Sequence, residues 1–274
     1  MQEIEFPSGD TPVAAIAWFK LWTRMRDESE LLIRASSAIG RVVPTVLIVS
    51  CASDRGIRAL KTEIEVNGDW NAAVSMLAPD SAQRTDVVRD RGPTLFWANT
   101  YDLPSARRAA DQVADALIAK SPSLSPSVVR MVRFVFEELG ANVVQHSAAP
   151  RTGIGWADID TQTKRFTMSF ADSGVGIRTS LQRNPELAGR IADDAEALQI
   201  ALSPRISGTG ASRSNMGWGL KALVDLSDLL NAELYIASGT AMLTRRSSAG
   251  QRTNVIREIP EWRGCWIALE AQIG

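Results

Sequence analysis

The chain is poor in the residues that build covalent and metal frameworks. Its only cysteines, Cys51 and Cys265, lie far apart in 274 residues, so it has no disulfide framework and no zinc-type spacing. Both read as small buried hydrophobes in a reducing cytoplasm. An excess of charge is also missing. The formal net charge is -1, whereas general nucleic-acid binders and anionic-membrane binders need surplus Lys and Arg to neutralise phosphates; neither activity is expected. The most apolar early run, Pro12 to Trp22, includes Lys20 and falls short of the ~20 residues that cross a bilayer. The opening MQEIEFPSGD is acidic, so the basic leader of an export signal is not expected either. No G-x-x-x-x-G-K-[ST] occurs. The pair Gly174 and Gly176 is followed at 179 by threonine, where a dinucleotide fingerprint needs its third glycine.

What is there is an ordinary globular composition, 45% apolar and 22% charged, in a chain long enough for two domains. Residues 11 to 40 read as helical, with Ala15, Trp18, Leu21, Trp22 and Met25 on one face. Such a face packs on its own domain or, less commonly, on a partner. VPTVLIVS (43–50) reads as a buried strand, DRGIRALKTEIEV as a helix running into a strand, and NAAVSMLAPD and GPTLFWANT as two more strands. Residues 1–98 are therefore expected to form a small α/β unit of unknown role. It lacks a chemical motif, and Ser50, Ser53 and Ser75 read as ordinary serines.

From 99 to 274 the pattern changes. LPSARRAADQVADALIAK predicts a helix, and SPSLSPS a loop that caps the next helix with a serine. GIGWADID and RFTMSFAD predict a hairpin, and NPELAGRIADDAEALQIAL one long helix opened by Pro185. SPRISGTGASRSNM reads as a flexible loop and GWGLKALVDLSDLLN as a further helix. ELYIAS, GTAMLTRR and CWIALEA read as three closing strands, the first two joined by a tight Ser-Gly turn.

The stretch from Met131 to His146 carries two patterns on one helix. Val132, Val135, Phe136, Leu139 and Val143 form an apolar stripe. Glu138, Asn142 and His146, each four residues apart, rise one above another along a neighbouring edge. Alone, that triplet is the polar margin of a core helix. Downstream stand Asp172-Ser-Gly174-Val-Gly176-Ile177 after a strand and Gly217-Trp-Gly219-Leu220 before a helix. Glycines at a helix start let backbone N–H groups approach an anion, and a polyphosphate is their natural guest.

In this order, E-x-x-x-N, D-S-G-V-G-I, a polar loop and G-W-G-L resemble the boxes of the GHKL superfamily of ATP-binding domains, which includes DNA gyrase, sensor histidine kinases and anti-sigma-factor serine kinases. The resemblance covers about residues 100 to 272 and looks most like the anti-sigma kinases. It implies a two-layer Bergerat-type sandwich, with helices on one face of a mixed, mainly antiparallel sheet. It also implies roles: Asn142 would hold Mg²⁺, Asp172 would accept the adenine amine, and Gly174 and Gly176 would pass close to the base with Ile177 against it. Gly217, Gly219 and Leu220 would cradle the phosphates under a 203–216 lid, and Glu138 would be the general base. Arg205 and Arg213 are either lid contacts to the γ-phosphate or solvated charges. His146 caps or orients its helix rather than accepting phosphate. Trp218 and Cys265 depart from the family, which has smaller residues at the first position and often Thr at the second. Three outcomes stay open: slow ATP hydrolysis or a lid-closure switch acting on a regulatory partner or a homodimer, phosphate transfer to a protein serine or threonine, and nucleotide binding without chemistry.

Overall fold

The computed structural model describes residues 2–5, 12–22, 30–34, 59–62, 94–98, 103–147, 153–203, 219–248 and 251–273. The strands expected at 43–50 and in NAAVSMLAPD, most of DRGIRALKTEIEV, and the loop at 204–216 lie outside them. Among the described residues no helix is long and apolar enough to cross a membrane.

In the N-terminal part, β1 (Gln2–Glu5), β2 (Glu30–Arg34) and β3 (Ala59–Thr62) form a parallel sheet with β2 in the middle, and α1 (Pro12–Trp22) lies between β1 and β2 in the chain. A parallel pair needs such a crossover. Of the helix expected through 40, Pro12–Trp22 is helix and Glu30–Arg34 is strand instead. Its contiguous Leu31, Leu32 and Ile33 suit a central parallel strand with neighbours on both sides.

The larger part is a five-stranded sheet in the order β4-β5-β6-β8-β7, made of β4 (Thr94–Ala98), β5 (Gly153–Asp160), β6 (Arg165–Asp172), β7 (Glu233–Ser248) and β8 (Gln251–Gln272). All four pairings are antiparallel, where a mixed sheet was expected. β4, on the N-terminal side of the expected boundary at 98, is a strand of this sheet. β5 and β6 form the expected hairpin through the 161–164 turn.

Two helices, α2 (Leu103–Lys120) and α3 (Pro126–His146), pair through Arg107–Glu137 and Arg133–Asp111. α3 buries Val132, Val135, Phe136, Leu139 and Val143 in one core with Phe166, Met168 and Phe170 of β6 and Ile267 and Leu269 of β8. Each such side chain contributes about 1.5–3 kcal/mol by leaving water, enough together to fix the helix on the sheet. Ser125 does occupy the cap position of α3, but its side chain makes no capping bond; its hydroxyl meets that of Ser127.

The alternate residues of the strands face the other way, and that second face is buried too. Trp156 and Trp266 are fully buried, and Phe19 of α1 packs on Trp262 and Trp266 with ring centroids 4.9 and 5.5 Å apart. Phe19 of α1, a residue outside the face drawn from the sequence, thus lies against the sheet of the second part, where the sequence pointed to packing within the helix's own domain. Helices were expected on one face of this sheet; the opposite face carries one as well.

The segment expected as one long helix is three short ones in succession with what precedes it: α4 (Gly176–Gln182), α5 (Pro185–Ala188) and α6 (Asp194–Ala201). Two N-caps break it. Asn184 accepts from the Glu186 N–H, and Asp193 accepts from the Glu196 N–H while Glu196 accepts from Ala192. Last comes α7 (Gly219–Leu229). Nor is Ser238-Gly239 a turn between two strands. β7 runs through it, and the register with β8 shifts at Ser238, Gly239 and Ala241. This bulge is made possible by Gly239 and Gly264, both at positive φ (59° and 85°), a region that side chains other than glycine rarely adopt.

Candidate functional site

The polar edge of α3 opens onto a cleft. Glu138, Asn142 and His146 line it, and so do Asp172 at the end of β6, Gly176 and Ile177 of α4, Gly219 and Leu220 of α7, and Cys265 of β8. The rest of the wall is largely apolar, with Leu139, Phe170, Leu181 and Ile267. The cleft holds about 870 Å³ of space not filled by atoms, part of it open to solvent. In make-up it is an apolar slot with a few convergent polar groups, the ordinary lining of a small-ligand site.

Two polar neighbourhoods are distinct. In the first, Asp172 points one carboxylate oxygen at the Gly174 N–H (2.8 Å) and also accepts from the backbone N–H of Cys265. Burial outweighs these bonds and pushes its carboxyl up to about 6. The same burial, with the neighbouring Asp172 charge, raises the Cys265 thiol well above its usual range, so it sits as an unreactive thiol beside the carboxylate. The bulge builds this corner. A Cβ on Gly264 would stand 1.9 Å from the Asp172 carbonyl oxygen, so only glycine lets β8 pass so close.

The second neighbourhood lies where α7 begins. Gly219 abuts Asn142, and Glu138 is the next residue it meets. A helix N-terminus, with its partial positive charge, is thereby set against an amide and a carboxylate. Burial raises the Glu138 carboxyl above the ordinary range, and the Glu137 charge adds to it. Burial lowers His146, helped by Arg183, whose guanidinium donates to the His146 carbonyl (3.3 Å). The end of α3 is tied to the glycine loop. The Ser147 hydroxyl donates to the Val143 carbonyl (2.7 Å), and the Ser147 carbonyl accepts the Val175 N–H (2.8 Å). Gly174 is needed there, since a Cβ on it would lie within 2.5–2.7 Å of Ser147.

Of the residues singled out in the sequence, Glu138, Asn142, Asp172, Gly176, Ile177, Gly219 and Leu220 come together in the cleft. Gly174 does not line it; it faces Ser147 and a separate depression behind the loop. Gly217, Trp218, Arg205 and Arg213 lie outside the described residues. Ser147, Ser180 and Leu181 line the cleft without having been singled out. Ser180 and Leu181 fall one turn beyond Ile177, a spacing that locates them once GIRTSLQ is known to be helix.

Compared with protein-family models and with curated proteins, the chain matches none.

Proposed function

We propose that the cleft binds ATP with Mg²⁺, in a domain of the Bergerat type, and that ATP binding and slow hydrolysis switch the protein's contact with a regulatory partner. The observation that carries this reading is the convergence of Asp172, Asn142 and Glu138, distant in sequence, on one apolar cleft headed by the N-terminus of α7. The antiparallel sheet with helices packed on it supports the same reading.

The residues fit the ligand. Asp172 is an acceptor in an apolar corner, suited to the exocyclic amine of adenine, where guanine would present an oxygen instead. Ile177, Leu181 and Ile267 supply flat apolar walls for a base. Among the described residues no group of three His, Cys, Asp or Glu is able to hold a metal alone. Asn142 would therefore hold Mg²⁺ through its amide oxygen together with the phosphates, the usual way this cation is shared between protein and nucleotide. Bound there, the ion would offset phosphate charge. Gly219 and Leu220 would bring backbone N–H groups to the phosphates.

Glu138 is the group that moves a proton. Its carboxyl, raised by burial, would accept one from an attacking water beside Asn142. The test is titration calorimetry with ATP, GTP and Mg²⁺, followed by release of phosphate. Binding of ATP over GTP that Asp172→Ala abolishes is expected; equal binding by the variant would remove the assignment. Phosphate release lost in Glu138→Ala supports hydrolysis, and label transferred to a protein hydroxyl would make the chain a serine/threonine kinase with the same base.

A further inference from the structure

We propose that Ser238 is a positioning residue for the base-binding corner, a role that rests on the nucleotide reading of the cleft. Its side chain does not line the cleft; it stands behind it, 3% exposed, where β7 departs from register with β8. The hydroxyl makes two bonds at once. It accepts the N–H of Ile177 (2.9 Å) and donates to the carbonyl of Gly264 (2.8 Å). One oxygen thereby joins the first turn of α4 to the bulge of β8.

Both of those segments carry the corner. Ile177 is one wall of the cleft, and Gly264 leads into Cys265, whose N–H bonds to Asp172. Gly264 packs closely enough on Asp172 that an added Cβ would stand 1.9 Å from its carbonyl oxygen. The Ser238 hydroxyl holds the Gly264 carbonyl as well, so the bulge is fixed at two points. The same hydroxyl satisfies an N–H at the start of α4, one of those that an α-helix leaves without an internal partner. The distance between the Ile177 wall and Asp172, which decides whether a flat base meets both, is thus set from behind by one buried hydroxyl.

Affinity for ATP with Mg²⁺ is compared by titration calorimetry in the full chain for wild type, Ser238→Ala and Ser238→Thr, with thermal unfolding of each. Alanine removes both bonds and is expected to weaken ATP binding by about tenfold or more, with threonine, which keeps the hydroxyl, restoring it to within about threefold. Wild-type affinity in Ser238→Ala overturns the role of Ser238 and leaves the cleft assignment intact. Equal losses in the alanine and threonine variants also overturn it, since the hydroxyl would then not be the cause. Failure of the wild type to bind ATP overturns the cleft reading itself. Should Ser238→Ala fail to fold, Ser238→Cys takes its place: it fills the space with a weak hydrogen-bonding group, and unchanged affinity would count against the proposal.

Discussion

A Cβ added at Gly219 would stand 2.6 Å from Nδ2 of Asn142, so the first residue of α7 is seated directly on the α3 amide assigned to magnesium. The atom met is the tip of a side chain, which is able to swing away; the backbone need not shift. Gly219→Ala is therefore expected to fold. The displaced amide should show in the metal dependence of binding. ATP titrations with and without Mg²⁺ are expected to differ in the wild type and to converge in the variant.

Asp172 should oppose stability while serving binding. Its carboxyl titrates at about 6 when folded, against an ordinary value of 3.8. The stability it contributes is full below the lower value, falls as the unfolded chain ionises, and is gone above about 6. Asp172→Asn retains an acceptor oxygen without the buried charge. Relative to wild type it is expected to gain stability as pH rises from about 4 to 6, reaching at most about 3 kcal/mol at neutral pH before allowance for solvent at the cleft. Urea unfolding across that range checks the sign. The same titration predicts that wild-type ATP binding weakens below pH about 6, because an amine donor favours the ionised carboxylate.

The parts legible in the sequence were those whose pattern is long or whose chemistry is local. α3 is 21 residues long, so its stripe and its polar edge both show. Asp172 was readable because a strand, an acid and two glycines follow one another. The bulge was not, since Ser-Gly between two β-rich runs has the composition of a turn, and only the cross-strand register with 262–265 distinguishes the two. Gly189 and Asp193 did hold the signal that breaks the 184–202 segment, but its apolar period continues through them. The face drawn on α1 left out Phe19, and nothing local in the sequence could tell that Trp262 and Trp266, far along the chain, pack on it. Ser238 was invisible as a site residue because it acts through two backbone groups brought to it by the fold.

A substitution at Glu138 tests the proposed chemistry apart from binding. Glu138→Gln keeps the shape of the side chain and a donor-acceptor end while removing the base, so ATP affinity is expected to stay within about threefold and phosphate release to fall by roughly 10²–10⁴. Because burial and Glu137 raise the wild-type carboxyl, the acidic limb of its pH–rate profile should lie above that of an ordinary glutamate: the base loses function as it protonates on lowering pH. A variant hydrolysing at the wild-type rate would remove Glu138 from the reaction.

Gly264 should be the least replaceable glycine described, and the contrast with Gly189 makes the case testable. At Gly264, φ is +85° and a Cβ would lie 1.9 Å from the Asp172 carbonyl oxygen, a backbone atom that no rotamer change can withdraw. Alanine there meets about 1–3 kcal/mol of backbone strain, and relieving the contact means separating β8 from β6 where Cys265 pairs with Asp172. At Gly189 nothing lies within 4 Å of the added Cβ, and φ is an ordinary -81°. Thermal unfolding is expected to show Gly264→Ala strongly destabilised, or unfolded, and Gly189→Ala within about 1 kcal/mol of wild type. Where Gly264→Ala retains a fold, its ATP affinity should fall as well, because the strand that moves carries the N–H bonded to Asp172. A Gly264→Ala protein as stable as Gly189→Ala would mean that β8 does not pass over Asp172 in the way described.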